Sequence, residues 1–233
     1  MRLYWWNETP NLGDRLTQLL LFHRTVPVEW TPVDKAEMVG IGSVLELFDG
    51  KAVTVFGTGR AGPKAPRTDL TRANVLALRG MKTWELTDRL SEPVLGEPGL
   101  LAADLIPHRR DAYVATVAHY TDQERMMTLY PGARFVDVQG DPMDALIAIA
   151  DAERVVSSSL HGIVLADAFG KPRLWDWFDG TQAGGFKFHD YGSVVGRFEP
   201  GEWKQVDASP IKKELRQCLS QHLNRDAVTQ PGK

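Results

Sequence analysis

Short apolar runs alternate along the chain with stretches in which apolar residues recur at helical spacing. The apolar runs end in glycine or polar residues and lie at residues 3–6, 38–42, 52–59, 74–78, 112–118, 134–138, 154–157 and 173–176. Continuous apolar runs of this length are typical of buried parallel strands that lead into tight loops. We therefore predict a strand at each of these positions.

Helical periodicity fills the segments between the strands. It predicts one helix that begins near Asp14 and others over residues 81–90, 122–130, 142–150, 161–169 and 211–223. Asp141 and Pro142 supply an N-cap and a first-turn proline, and Gly170 ends the helix that precedes it. Residues 225–233 are predicted to be a frayed tail.

This alternation predicts an α/β fold with parallel sheets. A polar, proline-marked stretch at residues 107–111 is predicted to be a linker between two Rossmann-like halves. We place the first half at residues 1–106, the second at 107–208, and a C-terminal helix and tail at 209–233. Ligands of open parallel sheets bind beyond the carboxyl ends of the strands, so two facing halves enclose a cleft.

Composition narrows the class of protein. Hydrophobic residues make up 43% of the 233 residues and charged residues 24%, as in ordinary globular proteins. A net charge of -3 argues against a nucleic-acid-binding protein. The single cysteine, Cys218, excludes a disulfide framework and a cysteine-built zinc site and favours the cytoplasm. No apolar run is long enough to span a bilayer. The 7 Trp residues pack in the core or at its rim, or offer a platform to a sugar.

The strongest local signal is a buried strand that ends in Ser157, Ser158 and Ser159 and continues into an apolar helix with His161 in its first turn and Gly162 after it. Free N–H groups at a helix start attract anions, and serine hydroxyls add donors. Bound phosphate would raise the pKa of His161 and make it a competent acid. The alternative is that Ser158 or Ser159 only caps the helix and His161 only packs.

A second signal lies in the loop after the first strand, at Asn11, Gly13 and Asp14. Gly13 allows a backbone conformation or a close approach that a side chain would block. Asp14 either caps the following helix or places a carboxylate beside an acceptor hydroxyl.

Weaker signals share a position at the ends of other strands. Gly57, Gly59 and Arg60 follow a buried strand, but their spacing departs from the dinucleotide-binding pattern G-x-G-x-x-G. Arg79 either clamps a carboxylate or phosphate or lies in solvent. His119 ends a strand, and Lys187 is placed in a loop after the last strand, together with His189 and Asp190.

Several of these segments, in this order, resemble motifs of the polysaccharide pyruvyl transferase family. Family motifs are matched, in chain order, by Asn11-Leu12-Gly13-Asp14-Arg15-Leu16, Phe56-Gly57-Thr58-Gly59, Leu78-Arg79-Gly80-Met81-Lys82-Thr83, Gly96-Glu97-Pro98-Gly99-Leu100-Leu101 and Ala118-His119-Tyr120. The most specific match is to S-S-L-H-G and A-D-A-x-G, at residues 158–162 and 166–170. Serine stands at position 159 where the family's R-L-H motif has arginine.

The resemblance implies a fold like that of GT-B glycosyltransferases, with the acceptor on the first half and the donor on the second. It implies transfer of the pyruvyl group of phosphoenolpyruvate to a glycan as a cyclic ketal, as in exopolysaccharide synthesis, with release of phosphate and without cofactor or metal. His161 and Asp14 are then the candidate catalytic residues. The candidate donor-binding residues are Ser157, Ser158, Ser159, Gly162, Arg79, His119 and Lys187, and the candidate acceptor-binding residues are Asn11, Gly13, Gly57, Gly59 and Arg60. The alternatives are a nucleotide-sugar glycosyltransferase and a non-catalytic module that binds a glycan or phospholigand.

Overall fold

The first sheet has six strands, all parallel, in the order β2-β1-β3-β4-β5-β6. The computed structural model describes residues 1–64, 66–88, 91–107, 112–177 and 185–229. Residues 226–229 are described by their backbone alone. The strands of this sheet are β1 Arg2–Tyr4, β2 Glu29–Trp30, β3 Met38–Val39, β4 Thr54–Phe56, β5 Asn74–Leu78 and β6 Val94–Leu95.

The second sheet has five strands in the order β11-β10-β9-β7-β8. Its strands are β7 Val114–Val117, β8 Arg134–Phe135, β9 Arg154–Ser157, β10 Arg173–Trp175 and β11 Trp203–Lys204. All pairs are parallel except β10 with β11, which are antiparallel. The predicted α/β fold with two parallel-dominated sheets is confirmed, although the strands are generally shorter than the apolar runs that predicted them.

Seven α-helices accompany the sheets within the described residues: α1 Leu12–His23, α2 Met81–Trp84, α3 Gln123–Leu129, α4 Pro142–Asp151, α5 Leu160–Ala168, α6 Phe186–Val195 and α7 Ser209–Thr229. Asp141 caps α4 as predicted, because its side chain accepts from the N–H groups of Met143 and Asp144. Gly170 follows α5 with a φ of 63°, also as predicted. Each helix in the described part of the chain is too short or too polar to traverse a lipid bilayer.

Three predictions about these elements were wrong or too broad, and a fourth, the linker, is not tested. Lys187, His189 and Asp190 lie in α6 and not in a loop, because the helix buries the apolar residues around them, Phe186, Phe188, Tyr191 and Val195. The helix from residue 81 ends at Trp84; residues 89 and 90 lie outside the described range. Residues 225–229 continue α7 and are not a tail. Residues 108–111 of the predicted linker also lie outside the described range.

One hydrophobic core joins the two sheets. Its buried members include Leu16 of α1, Leu101, Val117 of β7 and Ile163 of α5. The long helix α7 packs back on the first half, where Leu215 is fully buried. Arg216 of α7 forms an ion pair with Asp104, as does Arg24 from the end of α1. The sequence favoured packing on the first half over a subunit contact as the role of this helix, and the structure agrees.

Candidate functional site

The first functional segment is the start of α1, immediately beyond β1. Asn11 is its N-cap, and the side-chain oxygen of Asn11 accepts from the N–H of Gly13 at 3.0 Å. Of the two roles considered for Asp14, the role of helix cap was therefore wrong. Asp14 lies in the first turn with 9% of its surface exposed, and its carboxylate is free for another role.

The second segment is the turn from β9 into α5. Ser159 occupies the predicted N-cap position, but its side chain makes no capping hydrogen bond. The expected position of the serine cap was therefore correct, and the expected hydrogen bond is not formed. The hydroxyl oxygen of Ser157 instead accepts from the N–H of Ser159 at 3.0 Å and contacts the carbonyl oxygens of Val117 and Ser159. Ser157 thus fixes the backbone of the turn, which places His161 above the ends of the strands.

Gly13 and His161 bring these two segments together. A Cβ atom at position 13 would lie 1.8 Å from Nδ1 of His161. Only a residue without a side chain allows the imidazole to lie flat against the start of α1. The two strongest sequence signals are therefore in direct contact in the fold.

A cavity of about 420 Å³ opens at the carboxyl ends of β1, β3, β7 and β9. This volume is within the range of small-molecule sites. Its lining comes from both halves of the chain and consists of Trp6, Thr9, Asn11, Asp14, Ser43, Val44, Glu46, Leu47, Ala61, His119, Tyr120, Ser159, His161 and Lys187. The inner part is polar, and Trp6, Tyr120 and Leu47 are exposed at its rim.

A larger cavity, of about 960 Å³, lies at the opposite ends of the first-sheet strands, beside α7. Its charged lining includes Arg2 and Glu37, which pair with each other at 3.0 Å. Ligands of parallel sheets bind at the carboxyl ends of the strands, and four titratable groups with strongly shifted pKa values, Asp14, His119, His161 and Lys187, line the smaller cavity together. We therefore take the smaller cavity as the candidate active site.

Burial changes the charge state of the groups in this cavity. Burial raises the pKa of Asp14 to about 7, and the nearby Lys187 opposes the rise. Burial also lowers the pKa of Lys187 to about 8, with a further contribution from the charge of Arg79. The pKa of His161 falls to about 3 and that of His119 to about 4, in both cases mainly through burial and then through Lys187. With these pKa values, at pH 7 the ammonium of Lys187 is mostly charged, the imidazoles of His119 and His161 are neutral, and the carboxyl of Asp14 is close to its midpoint.

The predicted site residues divide into two groups. Those that line the cavity are Asn11, Asp14, His119, Ser159, His161 and Lys187. Those that lie behind it are Gly13, Gly57, Gly59, Arg60, Arg79, Ser157, Ser158 and Gly162.

The second group supports the walls of the cavity. Arg60 is fully buried, and its Nη1 donates to the Pro66 carbonyl and the Thr68 hydroxyl. Gly59 lies against the Arg79 guanidinium. Gly162 packs on Ser157, where a Cβ would come within 2.2 Å of the Ser157 hydroxyl. The oxygen of Ser158 accepts from the N–H of His119 at 3.0 Å.

Sequence reasoning missed three side chains of the site and its surroundings, namely Ser43, Tyr120 and Glu97. Ser43 follows Gly42 at the end of the apolar run 38–42 that predicted β3, so the strand-end rule that selected Arg79 could have selected it. Tyr120 was noted only within a motif, whereas Trp6 was among the tryptophans for which a sugar platform was one of two predicted roles, and it lines the cavity. Glu97 carried no sequence signal for burial, yet it is 1% exposed, and burial raises its pKa to about 8.

The described residues include no group of three or more His, Cys, Asp or Glu side chains that could hold a metal ion.

Comparison with known proteins assigns the chain to a family. The chain is 27% identical to the succinoglycan biosynthesis protein ExoV of Rhizobium meliloti (strain 1021) over 83% of this chain and 64% of that protein. It is 34% identical to an uncharacterized protein of Acanthamoeba polyphaga mimivirus over 54% of this chain and 47% of the relative. The matches thus span less than two thirds of either relative. No solved structure gives a significant match. The profile of the polysaccharide pyruvyl transferase family matches residues 56–175, about half of the chain, and the chain belongs to that family.

Proposed function

We propose that the protein transfers the pyruvyl group of phosphoenolpyruvate to two hydroxyls of a glycan, forming a cyclic ketal and releasing phosphate. One observation carries this proposal: a cavity at the strand ends combines an ammonium group that has no ion-pair partner among the described residues with an acid and a base of different proton affinity. Family membership and the resemblance to a succinoglycan biosynthesis protein support a glycan as the acceptor.

Lys187 is the cation that faces the donor. Among the residues that the structure describes, none forms a hydrogen bond or ion pair with its ammonium group, which lines the cavity beside the start of α5. A bound phosphate or carboxylate would satisfy this ammonium and favour its charged form. The N-terminal turn of α5 adds the positive end of a helix dipole.

His161 is the proton donor in this scheme. Its imidazole is neutral in the empty cavity, since burial and the charge of Lys187 lower its pKa to about 3. A phosphate dianion reverses this electrostatic balance, so donor binding is what protonates the ring. Protonated His161 then donates to C3 of the enol, which becomes a methyl group, and a cationic centre develops at C2.

Asp14 is the proton acceptor. With a pKa of about 7, its carboxylate is a suitable base near neutral pH. It takes the proton of the first acceptor hydroxyl as that oxygen bonds to C2. The C2–O bond to phosphate then breaks, with its electron pair leaving on phosphate, and the second hydroxyl closes the ring. The reaction releases two hydroxyl protons. One replaces the proton that His161 gives to C3, and the other leaves with phosphate.

The rim of the cavity suits a saccharide. Trp6 and Tyr120 expose 37% and 41% of their surfaces at the mouth. Aromatic faces with one wet edge bind amphipathic rings well. Glu46 is a further rim group, and its carboxylate could accept hydrogen bonds from sugar hydroxyls.

The test is release of phosphate from phosphoenolpyruvate by the purified chain, measured with and without glycans that carry free 1,2- or 1,3-diols. We expect release that depends on the acceptor and falls by about 10²–10⁴-fold in His161→Ala and in Asp14→Asn. Thermal stabilisation by nucleotide sugars, with none by phosphoenolpyruvate, would indicate a glycosyltransferase. Glycan binding without turnover of either donor would indicate a binding module.

A further inference from the structure

Arg79 lies behind the cavity with all three of its guanidinium nitrogens engaged. Nε donates to Oδ2 of Asp190 at 2.8 Å, Nη1 to the hydroxyl of Ser43 at 2.6 Å, and Nη2 to the carbonyl of Arg60 at 2.7 Å. The side chain is 1% exposed and is not part of the cavity lining. Arg79 therefore reaches a ligand only through another residue.

Asp190 holds the guanidinium in one orientation. Its carboxylate also accepts from the N–H and the hydroxyl of Thr83, at 2.8 Å and 2.6 Å. Asp190 is fully buried, as is Thr83. A guanidinium fixed in this way directs its Nη1 at Ser43 whether or not a ligand is present.

Ser43 connects this buried charge to the cavity that it lines. Its oxygen is the acceptor for Arg79, so its own O–H remains as a donor. Among the described residues, no group accepts a hydrogen bond from it. A hydroxyl whose oxygen accepts from a cation in a poorly solvated wall is polarised, and it becomes a stronger donor to an anion.

We propose that Ser43 and Lys187 form an oxyanion subsite in this cavity. The Ser43 hydroxyl donates to a phosphate or carboxylate oxygen, Lys187 supplies the mobile positive charge, and Arg79 is a positioning residue that acts through Ser43. The assignment of this anion to phosphoenolpyruvate rests on the proposed function. In this chain Ser159 stands where the family motif has arginine. The subsite would supply positive charge to the bound phosphoenolpyruvate from Lys187 and, through Ser43, from Arg79.

The experiment is equilibrium binding of phosphoenolpyruvate, inorganic phosphate and pyruvate to the full chain by calorimetry. Ser43→Ala should weaken phosphoenolpyruvate binding about tenfold or more, because it removes a hydrogen bond to a charged group. Ser43→Thr keeps the hydroxyl and should stay within about threefold of the unaltered chain. Ser220→Ala, on the exposed side of α7, is the matched control and should change nothing. Phosphate and pyruvate show which end of the donor Ser43 contacts.

Kinetics separate this role from a structural one. Ser43→Ala should raise KM for phosphoenolpyruvate and leave KM for the glycan unchanged. Unaltered oxyanion binding in folded Ser43→Ala, or a loss in Ser43→Thr as large as in Ser43→Ala, overturns the subsite. If Ser43→Ala fails to fold, Ser43→Cys carries the same expectation, because a thiol is a weak donor.

The two proposals fail in distinguishable ways. Binding of phosphate that depends on Ser43, without any turnover of phosphoenolpyruvate, would refute the proposed function and leave the subsite standing. Turnover of phosphoenolpyruvate that is indifferent to Ser43 would do the opposite. An unaltered chain that binds none of the three anions would refute both.

Discussion

The contact between Gly13 and His161 gives the sharpest test of the site, through the substitution Gly13→Ala. The new Cβ would lie 1.8 Å from Nδ1 and 2.2 Å from Cγ and Cε1 of the imidazole. Ordinary contact for such a pair begins at 3.4 Å, so the ring or the start of α1 must move by about 1.5 Å. Both segments are packed in the shared core, and neither can move without disturbing its neighbours.

Two opposing terms set the size of the effect. Overpacking of this kind costs about 1–3 kcal/mol, and an overlap this deep belongs at the upper end. Alanine in place of glycine in a helix returns up to about 1 kcal/mol. The net loss of about 2 kcal/mol corresponds to a fall in Tm of roughly 4–8 °C for a chain of this size. Displacing the imidazole by about 1 Å should also reduce phosphate release by about 10²-fold.

The assay is a double-mutant cycle of Gly13→Ala and His161→Ala, in which thermal unfolding measures the stability of each variant. In the His161→Ala background the ring is absent, so Gly13→Ala should be neutral or stabilising, and the sign of its effect reverses. Gly132→Ala is the control, since a Cβ at that position meets nothing within 4 Å. Equal destabilisation by Gly13→Ala in both backgrounds would show that the imidazole does not lie against α1.

Three further predictions concern buried charge and the rim. Burial raises the pKa of Asp14 to about 7 and that of Glu97 to about 8. The folded state therefore binds a proton at each carboxyl more tightly than the unfolded state does. As a result, the free energy of unfolding declines as the pH rises from about 4 to 8. Asp14→Asn and Glu97→Gln should therefore each raise Tm at pH 8.5 and flatten its decline; an unchanged Tm profile would contradict the shifts. Asp190→Ala should cost about 3–5 kcal/mol in denaturant unfolding, because it leaves a buried guanidinium unpaired, and a loss below 1 kcal/mol would argue against that ion pair. Trp6→Ala should raise KM for the glycan but not for phosphoenolpyruvate, whereas Trp30→Ala, similarly exposed on another part of the first sheet, should change neither; equal effects would remove Trp6 from the acceptor site.

The sequence allowed the fold to be predicted because alternation of apolar runs and helical periodicity depends on local chemistry. The caps at Asp141 and Gly170 were found for the same reason. The boundaries of α6 were not, because glycine and aromatic residues before Lys187 favour a loop, and tertiary packing of Phe188 on Trp175, with ring centroids 4.3 Å apart, overrides that preference.

The candidate site was predictable only in part. Strand ends converge in a parallel sheet, so the sequence could bring Asp14, His119 and His161 to one edge. Which side chain faces the cavity and which supports it depends on contacts between distant segments. Arg79 shows this most clearly, because its partners Ser43 and Asp190 lie 36 and 111 residues away.

The core that joins the two sheets has a kinetic consequence. Moving the two halves apart as rigid bodies would expose apolar side chains such as Leu16 and Ile163 to water. The free energy of exposing this apolar surface opposes such a movement. In the proposed reaction, donor and glycan would therefore exchange through the open mouth of the cavity, past Trp6 and Tyr120. We expect turnover in this chain to be free of a slow gating motion, and its two halves to melt in a single cooperative transition.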